Sequence, residues 1–164
     1  MAKAMEKTME KTNVMRLLDA ADVVYRGHSY DPTDGRIDGV SVAEKVGFPP
    51  EQVFKTLLTQ GASGAYYVFV LPVAAELDLK KAARAAGEKN IVMAPARDLL
   101  KLTGYVHGGC SPLGMKKPFP TFLDENAILQ ETMVCSAGKI GSQIELAPDD
   151  LLALANGVYA DLCK

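Results

Sequence analysis

A single ammonium, Lys55, stands inside the run Val53-Phe54-Lys55-Thr56-Leu57-Leu58. The neighbouring β-branched and apolar residues describe a buried strand. A charge in such a strand is costly to desolvate unless it is paired or reaches water along its aliphatic stem. About fifty residues on comes a glycine-rich stretch, Tyr105-Val106-His107-Gly108-Gly109-Cys110-Ser111-Pro112-Leu113-Gly114-Met115-Lys116-Lys117. It is too irregular for a helix or a strand, and its glycines let backbone approach a ligand closely. A lone lysine with such a wall points to a site for an anionic or carbonyl-bearing substrate. The competing reading is an edge-strand lysine and an ordinary long turn.

Other chemistries find less support. Ser111, His107 and Asp124 could be written as a Ser-His-Asp set, but no G-x-S-x-G elbow is present, and nearness in sequence is not geometry. The two histidines, His28 and His107, fall in no ligand motif, and the cysteines show no C-x-x-C spacing, so no metal site is expected. Cys110 is either a nucleophile or a structural thiol. Neither G-x-x-x-x-G-K-[ST] nor G-x-G-x-x-G occurs, so no nucleotide cofactor is expected and none of another kind is indicated.

Interleaved helices and strands must position these residues. Val14, Leu17, Leu18 and Ala21 recur at helical spacing from Asn13, and Val23–Tyr30 reads as a strand. Ser41-Val42-Ala43-Glu44 has the form of a capping box that opens a short helix, closed by Gly47. The Lys55 strand and Ala65–Leu71 flank the turn Gly61–Gly64 as a hairpin. Asp78 caps a helix over Leu79–Ala86 that stops at Gly87. Ile91–Met93 is a short strand, and a helix runs from near Pro95 to Leu102. Strands follow at Thr121–Leu123, Thr132–Cys135 and Gln143–Leu146, and Pro148-Asp149-Asp150 opens a last helix. The expectation is an α+β (mixed α/β) domain over 13–164, one mixed sheet flanked by helices, after a flexible leader over 1–12. The echo Met5–Thr8 and Met9–Thr12 within that leader is too short for a repeat architecture.

At 164 residues, 48% hydrophobic and 23% charged, the chain has the composition of an ordinary globular domain. No apolar run approaches the roughly 20 residues of a membrane span, so no membrane partner is expected. An odd count of three cysteines argues against a disulfide framework and suits a reducing cytoplasm. The net charge of −2 speaks against wholesale coating of nucleic acid. Lys80, Lys81, Arg84 and Lys89 nevertheless cluster, and Lys116, Lys117 and Lys139 punctuate glycine-rich segments. These are either phosphate contacts or solvated helix faces.

Five blocks, in order, resemble the YbaK/ProX family of trans-editing aminoacyl-tRNA deacylases. They are His28-Ser29-Tyr30, Gln52–Leu58, Leu77–Lys81, Gly104–Gly114 and Ser136–Leu146. The resemblance covers nearly the whole chain after residue 12, and is closest to the branch that acts on Cys-tRNA(Pro). It implies a curved, barrel-like mixed sheet flanked by helices. It puts the essential lysine on Lys55, with Thr56 beside it, a site-lining tyrosine on Tyr30, and the Gly-x-Ser-Pro-Leu-Gly wall on Gly109–Gly114. Within that wall Pro112 and Gly114 fall against substrate, and Gly108, Gly109 and Ser111 are the oxyanion candidates. Ser136 and Gly138 carry the Ser-x-Gly segment. Where the cysteine-specific branch often has aspartate, this chain has Gln143, which keeps hydrogen bonding and loses a titratable carboxylate.

The resemblance implies an enzyme that hydrolyses mischarged Cys-tRNA(Pro) in trans, without a cofactor. The cysteinyl thiol itself would attack the ester. The acceptor end of the tRNA is one partner, and prolyl-tRNA synthetase, in a ternary complex, is another. Two readings stay beside this one: a deacylase for alanine or serine that uses water, and a non-catalytic module that binds tRNA or synthetase.

Overall fold

Residues 10–164 are described by the computed structural model. Helix α1 (Asn13–Ala20) leads into strand β1 (Tyr25–Ser29), and α2 (Gly39–Val46) follows a loop. After a 3-10 turn at Pro50–Gln52 come β2 (Phe54–Gly61) and β3 (Tyr66–Pro72), then α3 (Leu79–Ala86), β4 (Ile91–Met93) and α4 (Ala96–Thr103). The glycine-rich wall leads to β5 (Thr121–Asp124) and a 3-10 segment at Glu125–Leu129. Strands β6 (Met133–Lys139) and β7 (Ser142–Leu146), helix α5 (Pro148–Ala155) and β8 (Val158–Ala160) complete the chain.

The α+β class expected from the sequence holds, with the strands divided between two sheets. One is antiparallel, in the order β1-β7-β6. The other is mixed, in the order β4-β2-β3-β5-β8, with β3, β5 and β8 parallel. The sheets touch through a parallel bridge between Val53 and Val134, and no closed barrel forms among the described residues.

Alternation along β3 shows why the layers form. Val68 and Val70 face the main core, built with α1, β6 and β7, while Phe69 and Leu71 face a second cluster under α3. All four are fully buried, which marks β3 as a strand covered on both faces. Fully burying each such side chain is worth about 1.5–3 kcal/mol.

Local signals mostly land where the sequence put them. Asp78 accepts from the N–H groups of Lys80 and Lys81, and Gly87 ends α3 in the left-handed region. The opening of α2 differs. Its cap is Asp38, whose carboxylate accepts from the Ser41 N–H at 3.1 Å, so Ser41 lies in the first turn and is not the cap. A carboxylate three residues upstream takes the Ser41 N–H, which a capping box would have given to the Glu44 side chain. Of the expected leader, residues 1–9 lie outside the described residues. Thr12 caps α1, and Glu10 pairs with Lys139 at 2.9 Å.

The β2–β3 turn is held by a side chain from beyond α3. Glu88 accepts from the Ser63 and Tyr67 hydroxyls, each at 2.6 Å, and from the Ser63 N–H at 3.1 Å. These bonds, the Ser63 hydroxyl first, hold its carboxyl below the usual carboxylate range. A depressed folded-state pKa gives stability that is present above the unfolded value of 4.5 and is lost as pH falls through the folded one. Glu88→Gln is therefore expected to lower Tm by a few degrees at pH 7 and by less near pH 3. Thermal melts at the two pH values check this, and an equal drop at both would contradict it.

Candidate active site

Strand β4 pairs with β2 only along Thr59–Gly61, and the Ala94 N–H closes that contact on the Leu58 carbonyl at 3.1 Å. Before Leu58, β4 no longer covers the edge of β2. A cavity of about 240 Å³ lies there, lined along β2 by Val53, Phe54, Lys55, Thr56 and Leu57. The start of α2 adds Ile37, Asp38, Gly39 and Val42 to its wall. The glycine-rich stretch adds His107, Gly108 and Cys110, and the antiparallel sheet adds Ser136 and Gln143. Val73 and Leu99 complete it.

Lys55 donates to the Ala75 carbonyl at 2.6 Å and reaches the Val73 carbonyl at 3.5 Å. No carboxylate pairs with it among the described residues. An ammonium has three donors, so carbonyl anchoring fixes its position and leaves donor capacity for a ligand. The side chain is half-buried, which resolves the tension of a charge in an apolar strand: its head sits at the cavity beside two carbonyl oxygens. Thr56 follows it, and its hydroxyl is buried without a hydrogen-bond partner.

Gln143 is paired in register with His28 on one side and Ser136 on the other, so the three share one face of the antiparallel sheet. On that face His28 meets Glu145 at 2.9 Å, the Thr132 hydroxyl donates to Glu145 at 2.6 Å, and the Gln52 amide donates to Thr132 at 3.0 Å. Burial pushes the Glu145 carboxyl up, but the Thr132 and His28 contacts together outweigh it and leave the group below its ordinary value. The chain of bonds ties β7 to the residue just ahead of Val53. Ser136 Oγ accepts from the Gly138 N–H at 3.1 Å.

The wall divides. Gly108, with a positive φ of 87°, faces the cavity, whereas Gly109 gives its N–H to the Val106 carbonyl at 3.0 Å. Ser111 is fully buried behind the wall, and its hydroxyl accepts from the Leu113 N–H. Pro112 and Gly114 also lie off the cavity, and a Cβ at Gly114 or Gly138 would meet the Tyr105 side chain, at its hydroxyl and its ring respectively. Tyr30 is buried outside the lining, with an unpartnered hydroxyl and the Lys45 ammonium 5.7 Å from its ring centre.

No side chain here is set up as a nucleophile. Burial pushes the Cys110 thiol up to about 12, so it stays protonated at neutral pH. The Asp124 carboxylate accepts from the N–H groups of Leu162 and Asn126, and only His107 of the Ser-His-Asp set lines the cavity. Among the described residues no three His, Cys, Asp or Glu side chains converge as metal ligands.

Sequence reasoning passed over Asp38, Gly39, Val42, Val73 and Leu99. Asp38 is the one carboxylate in the lining, and its hydrogen bonds from the Ser41 hydroxyl and N–H hold it below the usual range. Gly39 carries a readable signal only in three dimensions: a Cβ there would sit 2.5 Å from Val73 Cγ1.

Residues 38–154 match the family model described as an aminoacyl-tRNA editing domain. A candidate Cys-tRNA(Pro)/Cys-tRNA(Cys) deacylase of Enterococcus faecalis, EbsC, is 45% identical over 159 residues, which cover 97% of both chains. The solved structure of a candidate trans-editing enzyme for prolyl-tRNA synthetase aligns with a TM-score of 0.78 at 25% identity, over 95% of this chain and 99% of that one. A hypothetical protein of known structure reaches a TM-score of 0.84 at 22% identity, over 94% and 100% of the two chains, a likeness of fold alone.

Proposed function

The chain belongs to the aminoacyl-tRNA editing domain family, and from that premise we propose that it hydrolyses mischarged Cys-tRNA(Pro) in trans. One observation carries the reading: a small cavity that holds an anchored cation and no activated nucleophile of its own. At about 240 Å³ it is smaller than the roughly 300–1,000 Å³ of drug-sized ligand sites. An aminoacyl group fits inside, and the nucleotides must lie outside.

A cysteinyl ester brings the missing nucleophile. Its sulfur attacks its own carbonyl carbon, the C–O bond to the terminal ribose breaks, and the ribose oxygen leaves with a proton. Water then opens the cyclic thioester to free cysteine. Intramolecular attack gains from positioning, with effective molarities that can reach ~10⁵ M or more, and ring strain offsets part of this. The Lys55 ammonium attracts the terminal phosphate or the ester oxygens. The Gly108 N–H, on the cavity wall, faces the developing oxyanion, since Gly109 has given its own to Val106. Asp38 lies toward the substrate ammonium, and Ser136 and Gln143 close the far side.

The orphaned Thr56 hydroxyl accepts from or donates to the aminoacyl group in this reading. Thr56→Val keeps the shape and removes the unsatisfied group, so the free protein is expected to hold or raise its Tm while kcat/KM falls about tenfold. Thermal melts and steady-state kinetics on one preparation check the pair of effects. Loss of both stability and activity would make Thr56 a packing residue instead.

The partner is the tRNA acceptor end, with prolyl-tRNA synthetase in a ternary complex supplying part of the tRNA identity, and no membrane is involved. The substrate puts the reaction in the cytoplasm. Full preference for proline tRNA without synthetase would count against the ternary complex. A second reading rests on Gln143: without a carboxylate at that position, the site could remove alanine with water as nucleophile. Single-turnover assays on Cys-, Ala- and Ser-tRNA(Pro) decide. Fast loss of cysteine alone supports the thiol mechanism, and loss of alanine supports the second reading. No turnover of any would leave a binding module.

A further inference from the structure

Charge is distributed unevenly along this chain. Residues 79–120 carry eight Lys or Arg against two Asp or Glu, whereas the whole protein has 18 against 20. The basic segment therefore sits in an otherwise acidic molecule. It comprises α3, β4, α4 and the wall, and it supplies the cavity residues Leu99, His107, Gly108 and Cys110.

The fold gathers this charge at one edge of the mixed sheet. β4 is the edge strand; α3 packs against it, and α4 begins three residues after it ends. The Lys116 N–H donates to the Thr103 carbonyl at 2.9 Å, which draws Lys116 and Lys117 to the end of α4. Arg84, Lys89, Arg97, Lys101, Lys116 and Lys117 are all exposed, and none pairs with a carboxylate among the described residues. Within the segment only Lys81 pairs, with Asp161. Elsewhere Lys11, Arg36, Lys45, Lys139 and Lys164 each have such a partner, and only Arg16 and Arg26 are exposed without one among the described residues. The two acids in the segment, Glu88 and Asp98, still leave it with a formal surplus of six positive charges.

The same edge exposes apolar side chains: Val92 and Met93 on β4, Leu100 on α4, and Val106 beside His107. The edge adjoins the cavity directly. Met93 is opposite Thr59, Ala94 bonds Leu58, and the next residue along β2, Leu57, is in the lining. Leu99 reaches the cavity from between Arg97 and Lys101.

Unpaired cations interleaved with exposed apolar groups fit a single-stranded nucleic acid better than a folded protein. Phosphates take the cations, and the aliphatic side chains of Val92, Met93, Leu100 and Val106 give apolar contact to the ribose and base edges of an unpaired strand. We propose that the β4–α4 edge, with Lys116 and Lys117, is the platform on which the 3′ strand of the aminoacyl-tRNA lies as its last residue enters the cavity. The proposal rests on the tRNA substrate argued above and adds the surface that carries it. The acidic remainder of the molecule repels the same strand and so gives it one direction of approach.

The test is the double charge reversal Lys101→Glu/Lys116→Glu against the single reversal Arg16→Glu at the exposed Arg16 on the solvent face of α1, outside the basic segment. Kd for uncharged tRNA(Pro) is measured over a range of salt, and kcat and KM are measured separately on the charged form. The double variant is expected to bind about tenfold or more weakly near 0.1 M salt, with a shallower salt dependence by about one unit per lost phosphate contact. Its KM should rise while kcat at saturation holds, and its Tm should match the wild type. Binding and salt slope equal to those of Arg16→Glu overturn the platform. So does a defect seen only when prolyl-tRNA synthetase is present, which would make the edge a protein interface. Kd on uncharged tRNA does not depend on turnover, so failure of the cysteine-release reading and failure of the platform are separately visible.

Discussion

Lys55→Ala is expected to lower kcat/KM for cysteinyl-tRNA by about 10²–10³ while Tm moves little. At ~4 Å and an effective dielectric of about 20, a unit charge attracts a phosphate or a developing oxyanion by about 4 kcal/mol. Water that fills the truncated site returns part of this, and each 1.36 kcal/mol remaining is about tenfold in rate. The fold has little stake in the ammonium. Lys55 and Val73 line the cavity, so water that fills the truncated site can take over the hydrogen bonds the ammonium made to the Ala75 and Val73 carbonyls. Lys55→Arg separates charge from placement, because a guanidinium keeps the charge but cannot occupy the same point between two carbonyls. It should retain more activity than alanine and less than wild type. Wild-type turnover by Lys55→Ala, in single-turnover assays with folding verified by melts, would remove the cation from the mechanism.

The expected dependence on one cation follows from how the cavity is made. Lys55 and Val73 bring the cation and its carbonyl support from the mixed sheet, and Ser136 and Gln143 come from the antiparallel one. The Val53–Val134 bridge and the Gln52–Thr132–Glu145–His28 bonds hold the two sheets at that junction. Two sheets meeting at a free strand edge give fixed walls, and fixed walls suit the proposed reaction, in which the nucleophile arrives with the substrate.

Lys55 was legible in the sequence because a charge in an apolar strand violates the local pattern, and the wall was legible because glycines cluster there. Asp38, Val42, Val73 and Leu99 were not, since each is an ordinary residue in its own segment and only topology brings it to β2. Nor could the sequence say that Gly109 spends its N–H on Val106 while Gly108, its neighbour, faces the cavity. A period of two identifies a strand but not its partner, so one expected sheet proved to be two. β8 escaped notice for a related reason. It has three residues, exposes Val158, and is a strand only because β5 lies beside it. The segments with strong end signals, such as α3 between Asp78 and Gly87, were read nearly to the residue.

Gly138→Ala is the substitution expected to do most damage to stability near the site. Gly138 has φ of 93°, in the left-handed region, where a side chain costs about 1–2 kcal/mol. Its Cβ would also stand 2.9 Å from Tyr105 Cε1 and 3.2 Å from Val14 Cγ2. The ring cannot yield easily, because the Tyr105 hydroxyl donates to the Leu113 carbonyl, which fixes its far end. Overpacking of this kind adds about 1–3 kcal/mol. Together these give a loss of roughly 2–5 kcal/mol, or about 4–20 °C in Tm for a chain of this size. Activity should fall as well, through a defined route: the Gly138 N–H bonds Ser136 Oγ, and Ser136 lines the cavity. The companion variant Tyr105→Ala opens the space that the new methyl needs. The double variant Gly138→Ala/Tyr105→Ala should therefore be less unstable than the sum of the two singles, with a coupling of about 1 kcal/mol or more in a double-mutant cycle. Strict additivity would show that the ring is not what forbids a side chain at Gly138, and would leave the left-handed backbone and Val14 as the cause.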